Sequence, residues 1–497
     1  MPQSNRILRH VFVSVKDNEL QLVNVHFGEH IQKVEPLLSE TIPWQEIETE
    51  TKRARFLRKI EARLRPVGPK DMDGRFLFLM PGAVDAHVHF DTPGFEFRED
   101  FEHASSAALW GGVTTVIDMP CTSVPPIISL QNLQIKLQAL QHRAYCDYAL
   151  WGGISGTEFD NPRKLQRNMA DLARAGVVGF KAYLISGMEE FTDLSPEQMQ
   201  KAALMTKNLH LPLAVHAEDK SLVITRRERL KKEGRNDWKA YCAARDIKAE
   251  EKAVDFMVSL AQKTRAKIHI VHLSSAQRLE IIRRAKNQGL PVSAETCPHY
   301  LYFTQSDFER SEIRNFLKTA PPVKFQTDRA ALWQGLADGT LSFVTTDHAG
   351  CDPQKEKSAS DFWQVYGGIP GVEHRVPFIL SEGFLKKRIT LKRSVEILAS
   401  APADYFNLQQ KGSLQKNKDA DFALIDLWQK WAVKAEQMHS KGKYTPFEGV
   451  TFSAKVVKTF LHGRLVVDSA KDFQELSPLG RFVTAEKPVG YPESLRD

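Results

Sequence analysis

Polar and apolar residues alternate weakly over residues 7–34, in runs such as HVFVSV and LQLVNVHF. Their β-branched and aromatic content predicts two or three antiparallel strands. Over 44–64 the pattern changes to Glu, Lys, Arg and Leu in helix-like order, closed by PVGP (66–69), which predicts a helical insertion. RFLFLM (75–80) reads as a further strand. Between 83 and 347 short apolar runs recur, each followed by a helical stretch. They are AVDAHV, VTTVID (113–118), CDYALWG (146–152), VVGFKAYL (177–184), LPLAVHA (211–217), KIHIVHL (267–273), LPVSAE (290–295) and LSFVTTD (341–347). Eight such runs, with helices such as QNLQIKLQALQHRA and EQMQKAALMTKNLH between them, predict a parallel barrel rather than an open sheet. Residues 392–408 add one more helix, and the tail returns to β pattern in DADFALIDL (419–427) and KVVKTFLHGRLVVD (455–468). Strands before and after a barrel can pair into one small sheet unit. The expected architecture is therefore α/β: a (β/α)8 barrel over 81–410, with 1–80 and 411–497 sharing a small β domain built from both chain ends.

Composition narrows the class. The chain has 497 residues, 42% hydrophobic and 26% charged, as in a globular protein with a large core. A formal charge of +7 is mild at this size, and the densest basic run, TKRARFLRKIEARLRPVGPK (51–70), interleaves acidic and apolar residues. That favours a surface helix over a nucleic-acid partner. Five cysteines without CxxC spacing suggest neither a disulfide framework nor a cysteine zinc knuckle. No run has the length of a membrane span and MPQSNRILRHVFVSV lacks the apolar region of a signal peptide, so a cytoplasmic protein without a membrane partner is expected.

The chemistry lies at the strand ends. The first barrel strand ends in His87 and His89, and residues i and i+2 of a strand point the same way, so two imidazoles converge on one point. The fourth carries Lys181 inside an otherwise apolar run, the fifth ends in His216, the sixth in His272 and the eighth in Asp347. Barrel enzymes work at the C-terminal ends of their strands. Any one of these histidines alone would read as packing; all of them at the corresponding place in the βα cycle read as a two-metal site.

The motifs PGAVDAHVHF, AALWGGVTTVIDMP, GFKAYL, AVHAED, HIVHLSS, AETCPHYLYFT, APPVK, TTDHA and GGIPGVEHRVP resemble those of the cyclic amidohydrolases: dihydroorotases, allantoinases, and hydantoinases with dihydropyrimidinases. The resemblance spans roughly 80–410 and implies a TIM-like (β/α)8 barrel with a small β-sandwich domain. It implies two divalent ions, zinc by donor type, with His87, His89 and Asp347 on one, His216 and His272 on the other, and a carbamylated Lys181 bridging both. It further implies hydrolysis of a ring amide by a hydroxide held between the metals, with Asp347 as general base. Members of this group are commonly homo-oligomers, dimers or tetramers.

The ring is less defined. Dihydroorotases usually carry arginine at the position of Asp91, where it holds the substrate carboxylate; an acid there points to a neutral cyclic ureide or imide. HFD and GIPGVEHRV resemble hydantoinases, MPCTSVPP and KAYLISG allantoinases. Ser186 stands where hydantoinases have a tyrosine supporting the oxyanion. Thr296 and Cys297 fall in the loop where family backbone groups contact the ring, with Cys297 equally readable as a packed thiol, and His299 and His348 are pocket wall or satisfied structural histidines. Glu218 and Asp219 are either orienters of His216 or part of a solvated loop. Two alternatives stay open: a dihydroorotase acting on dihydroorotate, and a non-catalytic scaffold on the same fold.

Overall fold

A computed structural model describes residues 6–68, 71–471 and 477–486 of the protein. Pro69, on which the expected PVGP turn closes, and the two extreme ends of the 1–80 and 411–497 segments lie outside these residues. Strands Arg6–Lys16, Glu19–Phe27 and Ile31–Pro36 pair antiparallel in chain order, as their alternation predicts. Phe78–Pro81 joins them to Phe422–Asp426, and the hairpin of Lys455–Leu461 and Arg464–Asp468 completes the edge of a nine-stranded sheet drawn from both chain ends. Alternation sends Phe12, Phe78 and Met80 to the large core and Val11, Val13 and Phe27 to a separate small one. Phe27 meets Phe422 at 5.1 Å and Phe460 at 6.0 Å, although their strands are not neighbours in the ladder. The sheet thus bends over itself, and the layers expected of a sandwich are one continuous sheet.

The segment expected to be helical over 44–64 is shorter and broken. A 3-10 turn at Trp44–Glu46 precedes the helix Glu50–Ile60, which Thr49 caps by accepting from the Lys52 amide. Its Arg53 guanidinium lies 4.1 Å over the Trp428 ring, so the basic face is partly spent on packing against the C-terminal part of the chain.

All the expected barrel strands are present and parallel. One ladder runs from Ala83–His89 through Val113–Asp118 to Asp147–Leu150. A second runs from Gly152–Gly153 through Phe180–Tyr183, Leu213–His216, Ile268–Ile270 and Val292–Thr296 to Phe343–Val344. Only Trp151 separates the two at one seam. At the other, His348–Ala349, just beyond Phe343–Val344, pairs back with the first strand. The succession of strands therefore returns to its start. Helices such as Leu130–Leu140 and Pro196–Asn208, capped by Ser129 and Ser195, lie between them. Among the described residues no helix is long and apolar enough to cross a membrane.

Candidate metal centre

The strand ends bring the expected donors together at the floor of a cavity of about 570 Å³ lined by His87, His89, His216, His272 and Asp347. Two subsets form. Asp347 Oδ1 lies 3.1 Å from His87 Nε2 and 3.2 Å from His89 Nε2. His216 Nδ1 faces His272 Nε2 at 3.0 Å, and the His87 and His272 ring centres, 5.6 Å apart, put the two groups side by side. Asp347 and His272 hold left-handed backbone, φ 51° and 39°, an unfavourable conformation for residues with a Cβ that turns their side chains inward at the strand ends.

Buried polar groups hold each donor in place. Glu295 accepts from His87 Nδ1 at 2.6 Å and from His269 Nε2 at 3.0 Å, which leaves the His87 Nε2 lone pair facing the cavity. Glu218 takes His216 Nε2 at 2.8 Å and is itself bound by Arg245, freeing His216 Nδ1. Asp85, paired with the buried Arg375, accepts from the Thr346 amide and hydroxyl, fixing the residue before Asp347. The fully buried pair Lys136–Asp118, at 2.6 Å, holds the amide of Phe90 next to His89. Each group leaves a nitrogen or oxygen lone pair pointing at the centre, the requirement for metal ligation.

Electrostatics agree. Burial opposes ionisation of Asp347, but His87 and His89 hold its carboxyl well below the ordinary range. Burial, reinforced by His216, pushes His272 well below the ordinary histidine value, so it is a neutral donor. Burial likewise lowers the Lys181 ammonium to about 8. Lys181 Nζ is fully buried and has no hydrogen-bond partner among the described residues, an arrangement costly for an amine. The donor set of imidazoles, one carboxylate and this buried amine fits divalent metal ions. A second acidic group, Asp147, Asp419, Asp421 and His462, is already filled by the Lys411 ammonium, 2.7 Å from both Asp419 and Asp421.

The substrate-side expectations separate. Ser186 lines the cavity, but its hydroxyl donates to the Phe191 carbonyl at 2.6 Å and accepts from the Met188 amide. Asp91 is not among the residues that line the cavity: its carboxylate is buried with no hydrogen-bond partner among the described residues, and burial pushes its carboxyl well above the usual range. Thr296 is buried and donates to the Leu273 carbonyl. Cys297 is buried beside Thr345, a packed thiol. His348 accepts from the Val372 amide and donates to Glu99, a satisfied structural histidine. Glu218 orients His216, whereas Asp219 caps the helix Lys220–Lys232.

Other residues enter that the motifs did not single out. Glu295 had a signal, a charge inside the apolar strand Val292–Thr296, the same cue that marked Lys181. Tyr183, two residues beyond Lys181 on the same face, and Cys121 line the cavity with the Tyr183 hydroxyl 3.1 Å from the thiol. Arg98, Arg227, Lys231 and Arg245 also line it; Arg227 and Lys231 share the helix Lys220–Lys232, and no local pattern relates that pair to Arg98 or Arg245.

The amidohydrolase family pattern matches residues 78–466. An allantoinase of Rubrobacter xylanophilus is 34% identical over 426 residues, 85% of this chain and 90% of that one. An allantoinase of Deinococcus radiodurans is 32% identical over 401 residues, 80% of this chain and 87% of the other. Among solved structures, the L-hydantoinase (dihydropyrimidinase) of Arthrobacter aurescens superposes with a TM-score of 0.85 at 27% identity, covering 97% of this chain and all of that one. Sequence, fold and donor placement lead to one assignment: the chain belongs to the amidohydrolase family, within its cyclic amidohydrolase group.

Proposed function

We propose that the protein hydrolyses the C–N amide bond of a cyclic amide or ureide, a ring of the allantoin, hydantoin or dihydropyrimidine kind, at a two-metal centre. The observation that carries this is the convergence of the His87, His89 and Asp347 donors beside the His216–His272 pair on one cavity floor. The first three would hold one divalent ion, His216 and His272 the second, and Lys181 both. Zinc suits these donors. Bound there, the ions would supply Lewis acidity toward the amide carbonyl and acidify a water.

The residues themselves do the rest. Lys181, lowered to about 8 by burial, offers a neutral amine near physiological pH. Its nitrogen adds to carbon dioxide, forms one N–C bond and releases one proton, which turns an unpaired ammonium into an anionic carbamate among the donors. Asp347 starts ionised, takes the proton of the attacking water, and returns it to the ring nitrogen as the C–N bond breaks. Glu295 and Glu218 keep His87 and His216 in the ligating tautomer. Cys121 and Tyr183, in contact through thiol and hydroxyl, form part of the cavity wall beside these donors.

The test is a hydrolysis panel of hydantoin, dihydrouracil, allantoin and dihydroorotate with metal analysis. Turnover of at least one ring, lost on chelation and restored by zinc, is expected. A zinc-replete enzyme inert toward every ring, or an apo enzyme of undiminished activity, would sink the proposal.

A further inference from the structure

Asp91 argued for a neutral ring only if its carboxylate faces the substrate, and it does not. The side chain is buried and does not line the cavity, whereas Arg98, on the same loop, does. The charged side chains that line the cavity outside the metal group are all basic. Arg227 and Lys231 stand one turn apart on the helix Lys220–Lys232, so both project from one face toward the cavity. Arg245 lies beside them, and Asp347, already committed to the metal group, is the one carboxylate among the described lining residues.

The four cations are not all used up. Arg98 has Nε and Nη2 on Glu356, at 2.8 and 2.7 Å, and its guanidinium rests 4.5 Å from the Tyr366 ring, which leaves Nη1 for a ligand. Arg245 meets Glu218 through Nη1 and keeps Nη2. Among the described residues Arg227 pairs only with the exposed Glu228. Lys231 has no ion pair among the described residues; its ammonium lies 5.8 Å from the Trp363 ring. Lys318, by contrast, spends its donors on the carbonyls of Phe362, Trp363 and Val365 and serves to shape the wall.

We propose that Arg98, Arg227, Lys231 and Arg245 form a recognition wall for an anionic group, so that the preferred ring amide carries a carboxylate or similar acidic substituent. The inference rests on the hydrolase reading above and names its substrate class. A concave site lined by one sign of charge focuses the field and raises the local concentration of the opposite charge. Guanidinium groups also match a carboxylate in geometry, since two parallel N–H donors meet its two oxygens. A neutral ring would leave these donors to water.

The test compares matched rings on the zinc-loaded enzyme: dihydroorotate with dihydrouracil, and hydantoin-5-acetate with 5-ethylhydantoin. The acidic member of each pair is expected to show a kcat/KM about tenfold higher or more, through KM, with the preference narrowing as salt is raised. Lys231→Gln, at an exposed position, and Arg98→Gln should lower kcat/KM for the acidic ring about tenfold more than for its neutral partner, with zinc content unchanged. Equal or better turnover of the neutral rings, or an equal loss on both, overturns the inference. If no ring is turned over, the reaction reading fails alone and calorimetric titration decides. Binding of the acidic rings that weakens about tenfold in Lys231→Gln supports the wall, and equal or absent binding of both members overturns it.

Discussion

Replacing Glu295 with glutamine tests how the metal centre is held together. The carboxylate is fully buried and serves two imidazoles at once, His87 Nδ1 at 2.6 Å and His269 Nε2 at 3.0 Å. Burial opposes its ionisation, but His87 and His269 keep it well below the usual carboxylate range, so it accepts both bonds as an anion. Glutamine keeps the shape and removes the charge. One of its two terminal atoms becomes a donor, so one imidazole must offer a lone pair where it had a proton. If that imidazole is His87, the proton moves to Nε2, the atom facing Asp347, and ligation there is blocked. A hydrogen bond to a charged group contributes about 1.5–3 kcal/mol and a neutral one about 1 kcal/mol. The difference corresponds to roughly tenfold in metal affinity, within the range found for residues that orient metal-bound histidines. Competition against a chelator of known affinity, followed by metal analysis per chain, measures it directly. One of the two ions should weaken about tenfold while the melting temperature moves little. Unchanged affinity for both ions would refute the claim that Glu295 sets the His87 tautomer.

Lys181→Ala should leave an intact fold, reduced metal content and hydrolysis at least a hundredfold lower; near-normal metal content would contradict its bridging role. Glu218 is lowered to about 2, burial opposing and Arg245 and His216 favouring its charge, against an ordinary value of 4.5. A depressed carboxyl stabilises the fold above its unfolded value and loses that share as pH falls. The wild type should therefore shed about 3 kcal/mol between pH 4.5 and about 2 that Glu218→Gln does not, as read by urea unfolding at stepped pH. Phe422→Ala removes a fully buried ring packed on Phe27 and Phe460, and should cost about 3–5 kcal/mol in denaturant unfolding with zinc stoichiometry retained.

The barrel was legible because its signals are local. A parallel strand buried on both faces must be a short apolar run, and a charge within it stands out, as Lys181 does in Phe180–Tyr183 and Glu295 in Val292–Thr296. The candidate donors were legible for the same reason, since each sits in, at or just beyond the end of a strand. Less legible was the small sheet, whose strands showed as alternation but whose curl depends on Phe27 reaching Phe422 and Phe460 across non-neighbouring strands. Helix ends followed their caps, with Thr49 starting Glu50–Ile60 later than composition alone suggested.

What the sequence by itself determined is where the candidate donors stand, because strand periodicity sets which way a residue points and the βα cycle sets its place. What only the tertiary structure decided is the surroundings of the substrate. Asp91 stands two residues from His89 in the chain, yet it adopts φ 55° and its buried carboxylate does not line the cavity. Arg227 and Lys231 share one helix while Arg98 and Arg245 come from other segments, and they line one cavity because the strands return to their start and gather the segments beyond their C-terminal ends. Direction along a strand is a local property; which side chains share a cavity depends on how distant loops pack, and no period in the sequence encodes that.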